Sequence, residues 1–128
     1  MFARRVLAAA SRAALPRSSI TPLSARGLHV KATKESVQAA IKDEKVLVFS
    51  KTYCPYCSRV KALFEDLEID HEVVELDEHP EGAQIQDVLL HLTKQRTVPN
   101  VFIKGQHIGG CDATIELHAQ NKLKALAN

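Results

Sequence analysis

The 128-residue sequence predicts an α/β fold, a four-stranded mixed sheet flanked by helices in the order αβαβαββα. Two observations carry this. Short apolar, β-rich runs alternate with segments whose apolar residues recur at i, i+3, i+4 and i+7, the pattern of strands alternating with helices. The first two strand runs are separated by such a helix, so they should pair in parallel with a right-handed crossover. The last two are separated only by Gly105-Gln106, a turn tight enough for an antiparallel hairpin. A chain that is 45% hydrophobic and 25% charged has an ordinary globular balance, and its length suits one domain of modest core.

Taken in order, the domain begins near Thr33, which can cap a first helix with Val37, Ala40 and Ile41 inward. Lys45–Phe49 is the first strand and reads as buried on both faces. Lys51-Thr52-Tyr53-Cys54-Pro55-Tyr56-Cys57 turns the chain into a helix with Val60, Leu63, Phe64 and Leu67 on one side. Asp70 and His71 lead to a second strand, His71–Asp77. Pro80-Glu81-Gly82 opens a helix with Ile85, Val88, Leu89 and Leu92 at helical spacing. Asn100–Lys104 and His107-Ile108 are the third and fourth strands. Gly109-Gly110-Cys111-Asp112 ends the sheet and caps a last helix, with Ile115, Ala119, Leu123 and Leu126 expected inward.

The charge divides along the chain. Residues 1–34 hold Arg4, Arg5, Arg12, Arg17, Arg26, Lys31 and Lys34 and no acidic residue, whereas the remainder has ten basic and fifteen acidic residues, a net −5. The basic character therefore belongs to the N-terminal segment. No basic patch interleaved with aromatics supports nucleic-acid binding. On a helix, Phe2, Val6, Ala9, Ala10 and Ala13 fall on one side and Arg5 and Arg12 on another. An amphipathic, Arg- and Ser-rich, acid-poor segment of this kind predicts a mitochondrial transit peptide; a basic arm or a surface-binding helix is the alternative. Residues 1–32 are thus expected to be a disordered leader and linker, with Pro16 and Pro22 among the linker residues, and 33–128 the domain. The expected location is the mitochondrial matrix, with a cytosolic pool left open. No secretory apolar core and no apolar run long enough for a membrane span is present. In a reducing compartment, a Cys-x-x-Cys pair points to catalysis more than to structure.

That pair lies on the strand-to-helix turn. The first turn of a helix offers unpaired N–H groups and the positive end of the dipole, and both favour a thiolate. An ordinary cysteine has a pKa of about 8.5; such sites lower it to roughly 3.5–7.5. Pro55 lacks an N–H and has φ preset for a helix, so it suits the first helical position. This puts Cys54 at the cap, exposed, as the nucleophile, and Cys57 one turn on as the resolving thiol. Lys51 can add a positive charge. The competing reading is half a zinc site. A closed site needs four ligands, and the sequence has no second Cys-x-x-Cys and no His-x(3–5)-His pair.

Cys54-Pro55-Tyr56-Cys57, Thr97-Val98-Pro99 and Gly109-Gly110-Cys111-Asp112 occur in this order and at separations that together carry a family likeness. From Thr33 to Asn128 the chain resembles a dithiol glutaredoxin, a thioredoxin-like fold that uses glutathione. Thioredoxins share the fold but usually carry Trp beside their cysteines, and this sequence has no Trp. The resemblance implies that Cys54 takes the glutathione sulfur and that Tyr56 walls the site. It implies that Lys51, Gln86 and Arg96 face the glycine carboxylate of glutathione. Thr97, Val98 and a cis Pro99 would run along the tripeptide, with the Val98 backbone pairing to it. Cys111 and Asp112 would hold its γ-glutamyl end at a helix N-terminus, where a carboxylate is favoured. The family often has an acidic or hydroxyl residue where this chain has Ala113, and Thr114 is expected to compensate.

The resemblance further implies a glutathione-dependent oxidoreductase acting on protein–glutathione mixed disulfides and protein disulfides. Glutathione is its reductant, regenerated by glutathione reductase with NADPH; no metal is required and a monomer is expected. Redox poise agrees, since glutaredoxins lie near about −200 to −230 mV, close to the glutathione pool. The alternative of a different class is an iron–sulfur cluster carrier bridging two chains through Cys54 and glutathione. Each site residue also has a plainer reading. Lys51 and Gln86 can be solvated surface residues, Pro99 a trans strand start, Cys111 a small residue at a crowded helix start, and Tyr53 and Tyr56 packing groups.

Overall fold

The computed structural model describes residues 30–128. The expected leader therefore lies almost wholly outside the described residues. Nine elements follow: α1 (Lys34–Asp43), β1 (Val46–Ser50), α2 (Pro55–Asp66), β2 (Glu72–Glu75), α3 (Gly82–Thr93), β3 (Asn100–Ile103), β4 (Gln106–Gly109), α4 (Cys111–Ala119) and α5 (Leu123–Ala127). The sheet order is β2-β1-β3-β4. β1 pairs in parallel with β2, placing Ser50 opposite Glu75, and antiparallel with β3, placing Phe49 opposite Asn100. β4 adds an antiparallel edge with a register shift beside Val101 and Phe102. The mixed four-stranded sheet flanked by helices is as expected.

Successive residues of a strand point to opposite faces. All five residues of β1 are buried, so this strand feeds two cores. Leu47 and Phe49 meet Val37, Ile41, Ile85, Leu89 and Phe102 under α1 and α3. Val46 and Val48 meet Val60, Phe64, Val101, Ile103 and Leu123 under α2 and α5. Phe49 and Phe102 pack edge to face, with ring centroids 5.9 Å apart. Burying a Leu, Ile, Val or Phe side chain contributes roughly 1.5–3 kcal/mol relative to leaving it exposed. Both layers of helices thereby fix the line of β1 and the place where it ends.

The packed core starts before Thr33. Val30 is buried, its carbonyl accepts from His79 Nε2 at 2.8 Å, and Ala32 packs on the same core. The Thr33 hydroxyl caps α1 by accepting the Ser36 N–H at 3.1 Å. Two local readings change. The hairpin turn is Lys104-Gly105, one residue earlier than expected, with φ of 51° and 82°. Positive φ at both central positions is the geometry that matches strand twist, and glycine supplies it without strain at the second. The last helix is two helices. α4 stops at Ala119, Asn121 takes φ 60°, and α5 begins at Leu123. The break changes the buried set, so Ile115 is 37% exposed and Ala119 is exposed, while Leu117 packs against the core. Leu123 and Leu126 point inward as expected, from a different helix. Among the described residues, no helix is long and apolar enough to cross a membrane.

Gly82 is the tightest point between sheet and helix. A Cβ there would lie 1.8 Å from the Leu76 carbonyl oxygen, which is backbone and cannot swing away. Gly82→Ala is expected to destabilise the domain by about 1–3 kcal/mol, read as a lower denaturant midpoint in urea unfolding. An unchanged midpoint would show that α3 shifts freely on the sheet.

Candidate active site

The site forms where β1 ends and α2 begins. Pro55 is the first residue of α2, and Cys54 is its N-cap, in extended conformation (φ −86°, ψ 118°). Ser58 N–H closes the first turn on the Cys54 carbonyl at 3.1 Å. The N–H groups of Tyr56 and Cys57 are then left to the Cys54 sulfur. Burial alone would raise the Cys54 pKa. The backbone N–H and thiol of Cys57, the N–H of Tyr56 and the charge of Lys61 outweigh it, so the thiol lies below its ordinary value. Cys57 behaves oppositely. Burial pushes it up, and the neighbouring Cys54 adds to this, against the donors of Lys51 and Ser50. The division into an accessible nucleophile and a buried partner thus follows from one turn of helix. Both cysteines are free thiols.

Among the groups that lower the Cys54 pKa, Lys61, two helical turns along α2, adds the smallest share through its charge. Lys61 Nζ is held 2.7 Å from Glu75 Oε2, and the Ser50 hydroxyl donates to Glu75 Oε1 at 2.7 Å. Parallel pairing sets Ser50 beside Glu75, so the sheet register places the carboxylate that holds Lys61. The Asp77 carboxyl lies below its usual range because it accepts the Thr52 hydroxyl and the Thr52 N–H, the latter at 3.0 Å, with a smaller share from the charge of Lys51. Asp77 therefore fastens the turn that presents Cys54.

Across from Cys54 the chain between α3 and β3 carries a cis peptide bond at Val98-Pro99. The Cys54 thiol points at the Val98 carbonyl, 3.8 Å away. A cleft of about 610 Å³ opens there, lined by Tyr56, Thr97, Val98, Pro99, Cys111 and Asp112 of the predicted set, together with Gln95, Gly110 and Ala113. Tyr56 is 56% exposed and forms one wall; Tyr53 is 71% exposed and lies outside the lining. Cys111 is buried at the first position of α4, and Asp112 stands exposed in its first turn. Helix N–H groups and an acidic side chain thus share one end of the cleft.

Cys54, Cys57, Lys51, Gln86 and Arg96 are not among the lining residues; Cys54 adjoins the cleft through the Val98 carbonyl that its thiol faces. Gln86 donates from Nε2 to the Arg96 carbonyl at 2.7 Å, tying α3 to the strand-approaching loop. Thr114 does not compensate for Ala113. It is fully buried, and its hydroxyl donates to the Gly110 carbonyl at 2.9 Å, so it holds the start of α4 and is not among the residues that line the cleft. Gln95 was missed by sequence reasoning. A glutamine beside an arginine at a helix end reads as solvated surface, and only its contacts reveal it. Nε2 donates to the Thr97 and Pro99 carbonyls at 3.0 and 2.9 Å. What the geometry can do is present one activated thiolate to a bound disulfide, with a second thiol behind it and an extended backbone alongside.

A family model described as Glutaredoxin matches residues 46–108. Glutaredoxin-C2 of Arabidopsis thaliana is 54% identical over 92 residues, spanning 72% of this chain and 83% of that protein. A glutaredoxin of Ricinus communis is 53% identical over 94 residues, spanning 73% and 88%. Among solved structures, a buckwheat glutaredoxin–glutathione complex superposes with a TM-score of 0.72 at 49% identity, covering 73% of this chain and 86% of that one. The holo form of glutaredoxin C1 from Populus tremula x tremuloides gives a TM-score of 0.73 at 46% identity, covering 76% and 96%.

The thiolate fraction of Cys54 rises as pH rises through its lowered pKa. Alkylation of the Cys57→Ser chain by iodoacetamide should therefore reach its midpoint below that of a free cysteine, followed by mass spectrometry at Cys54. Lys61→Met is expected to move that midpoint upward and slow alkylation at neutral pH. Lys51→Met should leave it in place. The reverse order would return the assisting charge to Lys51.

Proposed function

The chain belongs to the glutaredoxin family of glutathione-dependent oxidoreductases, and on that premise we propose that it reduces protein–glutathione mixed disulfides, and secondarily protein disulfides, through Cys54. The observation that carries this reading is the thiol of Cys54 at the N-cap of α2, acidified by the first turn and facing the carbonyl of Val98, which lines the cleft. In the first step the Cys54 thiolate attacks the glutathione sulfur of the mixed disulfide. That S–S bond breaks, a Cys54–glutathione disulfide forms, and the protein leaves as a thiolate that takes a proton from solvent. In the second step a glutathione thiolate attacks the glutathione sulfur on Cys54. Glutathione disulfide leaves and the Cys54 thiolate is restored, so one free glutathione is consumed and the disulfide bond passes from the protein to glutathione disulfide. For a protein disulfide, Cys54 attacks first, Cys57 loses its proton and displaces the protein thiol, and two glutathiones return the dithiol.

The cleft fits an extended tripeptide with an acidic end. The Val98 backbone supplies main-chain pairing, Tyr56, Thr97 and Pro99 supply walls, and Cys111 and Asp112 stand where the γ-glutamyl carboxylate and ammonium would sit. Lys51, Gln86 and Arg96 are proposed at the opposite, glycine end. Glutathione reductase with NADPH would regenerate the reductant, and the dithiol Cys-Pro-Tyr-Cys site works as a monomer in this scheme. Residues 1–32 are proposed as a mitochondrial leader and linker, on their Arg-rich, acid-free amphipathic pattern.

Release of glutathione disulfide from a glutathionylated peptide, coupled to glutathione reductase and NADPH, tests the chemistry. Cys54→Ser is expected to lose roughly a thousandfold or more, whereas Cys57→Ser keeps turnover within about threefold because the first route bypasses it. Equal loss in both would exclude the one-thiol route. For the leader, residues 1–32 fused ahead of a fluorescent protein should carry it into mitochondria, and replacing Arg4, Arg5 and Arg12 by Glu should leave it in the cytosol. Cytosolic signal from the unmodified fusion would remove the proposal.

A further inference from the structure

Every polar atom of the Gln95 side chain is committed. Its two Nε2 hydrogens go to the Thr97 and Pro99 carbonyls, the oxygens on either side of Val98. Its Oε1 lies 3.2 Å from His107 Nε2, which is also 2.9 Å from Asn100 Oδ1. Both neighbours of that nitrogen are acceptors, so Nε2 of His107 carries the proton and donates to both. This fixes the amide. Reversed, it would set Oε1 against two carbonyl oxygens and an NH₂ against an N–H. Burial lowers the His107 pKa, in keeping with a neutral ring bearing one proton. The backbone of Gln95 is anchored too, its N–H donating to Thr93 Oγ1 at 3.1 Å, and that hydroxyl donates in turn to Leu89 O at 2.8 Å.

Main-chain accounting gives the consequence. With the carbonyls of Thr97 and Pro99 both occupied by one amide, the Val98 carbonyl is the one of the three directed at Cys54. The same amide reaches toward the opposite wall. A Cβ placed on Gly110 would lie 3.8 Å from Nε2, and one on Gly109 would lie 4.0 Å from Oε1. Gln95 thus spans the gap between the Val98 strip and the chain leading into α4, while His107, on β4, holds it from behind.

We propose that Gln95 is a positioning residue of the cleft, which orients the Val98 backbone for main-chain pairing with glutathione and is itself set by the donor of His107. The inference rests on the glutathione reading above and deepens it. Only an amide fits the position. A carboxylate would face two carbonyls without a hydrogen to offer, and a hydrocarbon of the same length would leave both carbonyls and the His107 N–H without this partner.

The test compares full chains of wild type, Gln95→Glu, Gln95→Met and His107→Phe in the coupled assay, varying glutathione. His107→Phe keeps a ring to pack against Phe102, whose centroid lies 5.2 Å away, and removes only the donor. Both Gln95 variants are expected to raise the KM for glutathione by about tenfold, as the loss of two hydrogen bonds suggests, with kcat at saturating glutathione within about twofold of wild type. His107→Phe is expected to raise KM by about threefold with kcat likewise preserved. An unchanged KM in either folded Gln95 variant, or a fall in kcat with KM unmoved, overturns the proposal. Should neither Gln95 variant fold, the KM of His107→Phe decides it alone, and no rise overturns it. Absence of glutathione-dependent turnover in the wild type overturns the parent reading instead.

Discussion

The arrangement depends on the free N–H groups at the start of α2, held at the end of a strand that cannot move. β1 is buried along its whole length, and each face of it is packed by a separate layer of helices. The turn that follows inherits that rigidity. Pro55 begins α2 and needs no acceptor, so the N–H groups of Tyr56 and Cys57 are the first to face outward, and the sulfur of Cys54 lies over them. Fixed donors stabilise a thiolate without reorganising, which is the main electrostatic device this turn offers its thiol. Asp77 secures the turn through Thr52, and the Ser50–Glu75–Lys61 chain ties α2 to the end of the sheet.

The other half of the site is built from backbone. The strip from Thr97 to Pro99 is neither helix nor strand and presents main-chain groups to the cleft. Backbone polar groups left unpaired in this way need support, and here side chains provide it. Gln95 holds two carbonyls and Gln86 a third, that of Arg96. Two glutamines thus do for this loop what ladder bonds do for a strand. The cleft accordingly joins an activated sulfur, an extended peptide-like edge and a helix N-terminus, a combination suited to a small peptide disulfide with an acidic end.

Much of this was legible beforehand. Strand and helix patterns around Val46–Phe49, Val60–Leu67 and Ile85–Leu92 reported their buried faces directly, because core packing and periodicity are the same constraint seen twice. The positions of Cys54, Pro55 and Cys57 announced the helix start and its cap, since a cap followed by proline admits few geometries. Ile115 was misread because a helical repeat was extended through Asn121, where the chain turns left-handed and restarts; nothing in Gln120-Asn121-Lys122 marks that break strongly. Thr114 was misread because a hydroxyl one residue from Ala113 looks equivalent in sequence, although on a helix one residue is a rotation of about 100°.

By itself, then, the sequence determined the alternation of strands and helices as far as the last helix, the parallel pairing of the first two strands, the antiparallel hairpin of the last two, and the placing of Cys54 and Cys57 at a helix start. Those properties are local, or follow from short connections between neighbours. Tertiary structure decided which charges and amides serve the site. Lys61 joins the charges that act on Cys54 while held by Glu75, which parallel register puts beside Ser50 and within reach of α2. Gln95 gains its place because β3 and β4 bring Asn100 and His107 beside the end of α3. Such pairings join residues that lie apart along the chain, and their geometry exists only once the sheet has closed.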